Sequence, residues 1–143
     1  MSSSNKPPLW FWLISLIMLA WNLMGVSAYV GQVTITPAEL QAMPEIERAQ
    51  LLSMPGWAVA AFACAVFGGA AGCLLLLLRS RWAPAMLALS LIGVLVQLGH
   101  AFLIAKAYAV FGPGGLIMPV MVLAGAVFLL WFALRVRRRG WLR

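Results

Sequence analysis

The feature that most constrains this chain is a set of four apolar stretches, each long enough to form a membrane-spanning helix. They cover residues 9–30, 56–78, 83–105 and 116–134. A helix needs about 20 apolar residues to cross the hydrocarbon core of a bilayer. The chain is 64% hydrophobic and only 9% charged, whereas a soluble domain has about 25% charged residues. The sequence therefore predicts an all-α integral membrane protein with a single domain over residues 1–143. That domain would be an up-down-up-down bundle of four transmembrane helices.

Positive charge is concentrated at one end of the predicted bundle. Eight of the ten lysines and arginines are Lys6, Arg79, Arg81 and those of the basic tail at residues 135–143. An even number of spans puts both termini on one side, and cytoplasmic loops are enriched in lysine and arginine. We therefore expect both termini in the cytoplasm, with the lipid bilayer and its anionic head groups as partners rather than nucleic acid. The residues predicted to contact head groups are Arg79, Arg81, Arg135, Arg137, Arg138 and Arg139.

The outer loop, residues 31–55, is the one sizeable polar segment. Thr36-Pro37-Ala38-Glu39 has the pattern of a capping box with proline at the first helical position. Apolar and charged residues then alternate as in a short amphipathic helix, which we expect to be bent or interrupted before Pro44. This extracytoplasmic helix would cover the outer face of the bundle or bind a partner.

Five polar or amphipathic side chains interrupt the first and third predicted helices. Asn22 and Gln97 each lie about 20 Å from the inner boundary at 1.5 Å per residue, so they share one depth. An amide without a partner in lipid costs several kcal/mol, so we expect these two to meet across the core, directly or through a buried water. His100, Tyr29 and Trp21 would extend the pair into a polar column that opens outward. Two interpretations stay open: the column is packing that sets helix register, or it lines a cavity for a small molecule.

Small residues recur at every fourth position of the second predicted helix, at Ala60, Cys64, Gly68 and Gly72, and the same spacing recurs one position on. Such spacing lets two helix backbones approach closely. This helix-packing face would pack either inside the bundle or against a second copy of the chain. Cys64 and Cys73 point to opposite faces of the helix, so we expect no disulfide between them.

The motifs of most catalytic and metal sites are absent from the sequence. It has no phosphate-binding glycine loop, no H-E-x-x-H motif and no nucleophile with a neighbouring base. All three acids lie in the outer loop, and His100 by itself cannot hold a metal. We therefore predict no enzymatic activity, no metal and no cofactor.

Four segments of the chain carry a resemblance to a known group of proteins. They are Trp21-Asn22 through Gly25, PGWAVAAFACAVFGGAAGCLLLLLRSRWA, SLIGVLVQLGHAF and GPGGLIMPVMV. Together they resemble small bacterial inner-membrane proteins similar to the DoxX-like four-helix membrane proteins, which implies a multi-pass protein of the bacterial inner (plasma) membrane. Some relatives are labelled sugar transporters, and better-studied members are accessory subunits of respiratory or thiol-redox complexes. Because the cysteines here form no redox pair, only the accessory role would carry over.

Two functional hypotheses follow. The first is a non-enzymatic accessory or structural membrane protein that associates through its helices with itself, as a homo-oligomer, or with a larger membrane complex. The second is a protein that binds or transports a small solute, a sugar among others, in the column around Asn22, Gln97 and His100. Binding would then depend on pH near neutrality, where histidine exchanges its proton.

Overall fold

Four long and two short α-helices make up the described part of the chain, residues 6–104 and 117–142 of a computed structural model. The long helices are α1 (Leu9–Val33), α4 (Gly56–Leu77), α5 (Ala83–Gly99) and α6 (Ile117–Arg138). The short helices, α2 (Pro37–Ala42) and α3 (Glu45–Leu52), connect α1 to α4. A π-helical turn, His100–Ile104, continues α5.

Each long helix is long and apolar enough to cross a membrane, with α5 and its π-helical turn counted as one span. This confirms the prediction of an all-helical chain with four such helices. The predicted boundaries are close to the observed ones except at the C-terminal end, where α6 continues past residue 134 to Arg138. The expected end of the third span at residue 105 and the expected start of the fourth at residue 116 lie outside the described residues.

The α2–α3 segment forms as the sequence predicts. The Thr36 hydroxyl accepts a hydrogen bond from the Glu39 backbone N–H at 3.2 Å, and the Glu39 carboxylate accepts one from the Thr36 N–H at 3.0 Å. This reciprocal pair is the predicted capping box. The break between α2 and α3 falls at Pro44, because proline disfavours a helical conformation in the residue before it. No residue of either short helix is buried.

The α4–α5 pair forms the closest helix contact. A side chain at position 93 would place its Cβ 2.8 Å from the Ala61 carbonyl oxygen and 2.8 Å from the Ala65 nitrogen, so only glycine permits this approach. Beside it, the buried Ser90 hydroxyl donates a hydrogen bond to the Ala65 carbonyl at 2.6 Å. Helix α4 also packs against α1, and α5 against α6, which leaves α1 and α5 diagonal to each other.

The hydrophobic core lies at one end of the bundle, where α1 begins, α4 ends, α5 begins and α6 ends. Its buried members are Phe11, Cys73, Leu76, Ala83, Leu87, Leu129, Phe132, Ala133, Val136, Trp141 and Leu142. At this end α1 and α6 meet through aromatic rings, with the Phe11 and Phe132 centroids 5.9 Å apart. Phe11 is completely buried.

The C-terminal segment folds back into this core. Gly140 has φ of 76°, a left-handed conformation that ends α6, and the Trp141 N–H donates to the Val136 carbonyl at 3.1 Å. The Trp141 ring lies 5.4 Å from that of Trp10, and its carbonyl accepts a hydrogen bond from Arg79 Nε at 2.8 Å. The predicted basic tail is thus helical to Arg138, and Trp141 and Leu142 then pack into the core.

Candidate functional site: a cavity among the four long helices

A cavity of about 310 Å³ lies among α1, α4, α5 and α6. Leu87 and Leu129 belong both to its wall and to the core, so the cavity begins where the core ends. Most of the wall is apolar. Its apolar members include Phe62, Val66, Val94, Val122 and Ala126. Four residues with polar groups interrupt it: Trp21, Asn22, Ser90 and Gln97.

The side chain of Asn22 is bonded to its own helix and to the neighbouring helix α4, and not to α5. Its amide nitrogen donates to the Met18 carbonyl one turn back at 2.8 Å and to Cys73 Sγ at 3.6 Å. Its amide oxygen lies against the α-carbon of Gly69, where any side chain would collide with it. The expected bond between Asn22 and Gln97 is not among the hydrogen bonds of the described residues, although both side chains line the cavity.

Gln97 and Trp21 bring unpaired polar groups to the cavity wall. Both side chains are half-buried, and neither has a hydrogen-bond partner among residues 6–104 and 117–142. The indole nitrogen of Trp21 faces Gly125 on α6, where a Cβ would lie in ordinary van der Waals contact with it at 3.6 Å. In a membrane, unpaired amide and indole N–H groups are costly, so these two groups favour a hydrogen-bonding occupant of the cavity.

Two methionines of the cavity wall are also exposed among the described residues. Met24 on α1 and Met118 on α6 both line the cavity, and they are 67% and 60% exposed. In a bilayer, side chains at these positions would face the acyl chains.

Tyr29 and His100 do not line the cavity. The Tyr29 ring packs edge-on against Phe62 and Phe67, with both centroid distances 5.5 Å. His100 is buried and packs edge-on against Trp57 at 5.3 Å. The predicted column thus divides into a cavity group of Trp21, Asn22 and Gln97, and two residues that pack on aromatic side chains of α4.

The helix-packing face on α4 also divides. Gly68 and Gly72 are buried against α5, next to Ser90 and Leu87 respectively. Ala60 and Cys64, nearer the start of the helix, are exposed. The C-terminal half of this face therefore packs inside the bundle, whereas its N-terminal half is exposed in the part of the chain that the structure describes.

Sequence reasoning missed three residues that shape the site. Ser90 joins α4 to α5, Gly69 makes room for the Asn22 amide, and Cys73 is its hydrogen-bond partner. Gly69 and Cys73 belong to the second small-residue series on α4, with Ala61 and Ala65, and all four are buried. A signal was present, because that series has the same spacing as the first, but the sequence does not show which series faces inward.

The arginines predicted to contact lipid lie at the core end of the bundle. Arg79 is half-buried and has φ of 57°, and its Nε is bonded to the C-terminal segment. Arg81 and Arg137 line one surface cleft, while a second is lined by Arg135, Arg138 and Arg139. Of the six arginines, Arg79 therefore bonds to the C-terminal segment, and the other five line the two surface clefts.

No group of three or more histidine, cysteine or carboxylate side chains that could hold a metal occurs in the described ranges. Both cysteines are free, with Cys64 exposed and Cys73 buried. His100, Cys73 and the three glutamates are thus not gathered into one site.

The fold and the site define an all-helical protein with four candidate membrane-spanning helices around an apolar cavity. No family model, curated protein or solved structure matches the chain. The resemblance to DoxX-like membrane proteins therefore stays a prediction, and functional inference depends on the cavity itself.

Proposed function

We propose that this protein binds a small, largely apolar molecule within the membrane, one that carries one or two hydrogen-bonding groups. The observation that carries the proposal is the cavity at the centre of the four long helices, with Gln97 and Trp21 unpaired in an apolar wall. Ligand sites have this composition in general, with a mostly apolar wall and a few placed polar groups. This proposal keeps the small-molecule hypothesis drawn from the sequence, but its ligand is a largely apolar molecule rather than a sugar.

The volume of the cavity limits the ligand. At about 310 Å³, it is at the lower end of the range of ~300–1,000 Å³ for small-molecule sites. An engineered protein cavity of ~150 Å³ binds one benzene molecule. A two-ring compound or a short branched chain therefore fits, and a long acyl chain would have to extend out past Met24 and Met118.

The polarity of the wall disfavours a sugar. A hexose has a hydroxyl on nearly every carbon, and each needs a partner when water is excluded. Among the lining residues the side chains of Asn22 and Ser90 already use their donors inside the protein. Gln97 and the Trp21 N–H are left, which suits a phenol, a quinone or an alcohol better.

The setting we propose is the inner membrane of a bacterium, with both termini in the cytoplasm. The basic residues at the core end of the bundle support this orientation through the positive-inside rule. The α2–α3 segment, which holds all three acids, would then lie on the outer face. In this orientation the cavity lies between the cytoplasmic core and the outer end of the helices.

Photoaffinity labelling in membranes tests the proposal. A short alcohol that carries a diazirine should cross-link to the α1 and α6 peptides that contain Met24 and Met118, and 2-naphthol should suppress the labelling. Ala126→Phe places a ring in the cavity, so labelling should fall about tenfold, equivalent to about 1.4 kcal/mol of lost binding.

Ala124→Phe is the matched control, since Ala124 is exposed on the same helix and does not line the cavity. It should label as the unchanged protein does. Equal labelling of both variants, or labelling that 2-naphthol does not suppress, would show that the probe reacts with the lipid-facing surface and not in the cavity. His100→Phe should also leave labelling unchanged, because His100 packs on Trp57 outside the cavity.

A second candidate function is the accessory role in a larger membrane complex. It is supported by the α2–α3 segment, where Ile46 and Leu52 are 56% and 66% exposed beside three acids. A partner with a basic surface would complement this segment. Stoichiometric co-purification of such a partner, lost on Glu45→Lys with Glu47→Lys, would support the role, and a chain that always purifies without a partner protein would contradict it.

A further inference from the structure

The core end of the bundle carries positive charge that the chain itself does not neutralise. Arg81, Arg135, Arg137, Arg138 and Arg139 lie there, whereas the three acids of the sequence are all in the α2–α3 segment. Helix α1 separates the two regions by about 36 Å at 1.5 Å per residue. Salt screens charges beyond about 8 Å under physiological conditions. The three acidic side chains of the sequence are therefore too far away to neutralise these arginines.

Two clefts of similar size collect these guanidinium groups on either side of the end of α6. The first, about 280 Å³, lies between α5 and α6 and is lined by Arg81, Trp82, Ala85 and Arg137. The second, about 290 Å³, is lined by Trp131, Leu134, Arg135, Arg138 and Arg139. Each combines at least two guanidinium groups with a tryptophan and an aliphatic side chain.

Tryptophan rings hold several of these arginines in place. The guanidinium of Arg81 lies 6.0 Å from the Trp82 ring, that of Arg135 lies 5.6 Å from Trp131, and that of Arg139 lies 5.3 Å from Trp141. Contacts of this length are favourable cation–π interactions. They orient the planar guanidinium, which suits paired hydrogen bonds to phosphate oxygens.

The clefts are also next to apolar surface. Leu78, Trp82 and Trp131 are 74%, 64% and 53% exposed at the same end of the bundle. A ligand there meets guanidinium groups on one side and hydrocarbon on the other. A phospholipid has this division in one molecule, whereas a free phosphate has only the charge and a nucleic acid has no hydrocarbon chain.

From this geometry we infer that the two clefts beside the end of α6 bind the head groups of anionic phospholipids. The phosphate would accept hydrogen bonds from Arg81 and Arg137 in one cleft, and from Arg135 and Arg138 in the other. The indole rings of Trp82 and Trp131 would lie at the level of the glycerol. Arg79 takes no part, since its Nε holds the C-terminal segment. The inference is independent of the central cavity.

Native mass spectrometry of the full-length protein in detergent, titrated with phosphatidylglycerol, tests the inference. We expect two lipids to bind. Each arginine near an anionic head group contributes about fivefold in affinity. Arg81→Gln with Arg137→Gln should therefore weaken one site about 25-fold, and Arg135→Gln with Arg138→Gln should weaken the other. Phosphatidylcholine, which has the phosphate but no net charge, should bind at least tenfold more weakly.

Arg48→Gln is the control away from the clefts, because it removes one positive charge from α3 and should change neither site. If Arg48→Gln weakened binding as much as the paired variants, net charge rather than the two clefts would explain the binding. If phosphatidylcholine bound equally well, general lipid solvation would explain it. Saturable binding of glycerol phosphate without lipid would instead assign the clefts to a soluble anion and overturn the inference. If a glutamine pair fails to fold, the lysine pair at the same positions replaces it, because lysine keeps the charge but lacks the planar guanidinium group. Binding at full affinity by the lysine pair would refute the role of guanidinium geometry.

Discussion

At the residue scale, Asn22 and Ser90 show how polar side chains of the long helices are bonded within the chain. Asn22 bonds to the Met18 carbonyl and to Cys73, and Ser90 bonds to the Ala65 carbonyl. Among the described residues, the Ser15 hydroxyl is fully buried and has no partner, and the half-buried side chains of Gln97 and Trp21 are also unpaired. Composition and spacing predict that an amide such as Asn22 faces protein, but not that a cysteine on the neighbouring helix is its partner.

Gly69 and Asn22 should be energetically coupled. Gly69→Ala places a methyl group on the Asn22 amide oxygen, so we expect the free energy of unfolding to fall by about 1–3 kcal/mol. In the Asn22→Ala background the methyl group has room, and the same substitution should cost less than about 0.5 kcal/mol. Unfolding by SDS titration in mixed micelles measures both values.

Gly31→Ala is the control for this pair, because nothing lies within 4 Å of a Cβ at position 31. It should leave stability nearly unchanged. An equal loss from Gly69→Ala with and without Asn22 would place the strain elsewhere in the α1–α4 contact.

At the element scale, most of the helices follow directly from the sequence. The apolar lengths predict the four long helices, the Thr36–Glu39 capping box predicts the start of α2, and Pro44 predicts its separation from α3. The π-helical turn at His100–Ile104 and the buried position of Trp141 were not predicted. Both depend on packing between helices that are distant in sequence, and hydropathy does not specify that packing because lipid and helix interfaces are similarly apolar.

The contact between α4 and α5 should depend on Gly93. Gly93→Ala would bring its Cβ within 2.8 Å of two backbone atoms of α4, which cannot move without separating the helices. We expect the free energy of unfolding to fall by about 1–3 kcal/mol. Gly99→Ala on the same helix meets nothing within 4 Å and should be neutral. Similar SDS-unfolding curves for the two variants would contradict the close approach of α4 and α5.

At the scale of the whole molecule, packing is uneven along the bundle. The core fills the end where the arginines lie, and the cavity occupies the region beyond Leu87 and Leu129. The sequence predicted polar groups at one depth on α1 and α5, and Asn22 and Gln97 do line one cavity. It could not predict the cavity, because an empty volume depends on side chains from all four helices, including the apolar residues of α6.

Native mass spectrometry of the protein, released from its own membrane into nanodiscs, tests the account most directly. We predict one bound small molecule per chain, smaller than a phospholipid, that is retained by Ala124→Phe and lost by Ala126→Phe, whose ring occupies its place. A chain that carries only phospholipid, or a small molecule retained equally by both variants, would contradict a ligand site in the central cavity.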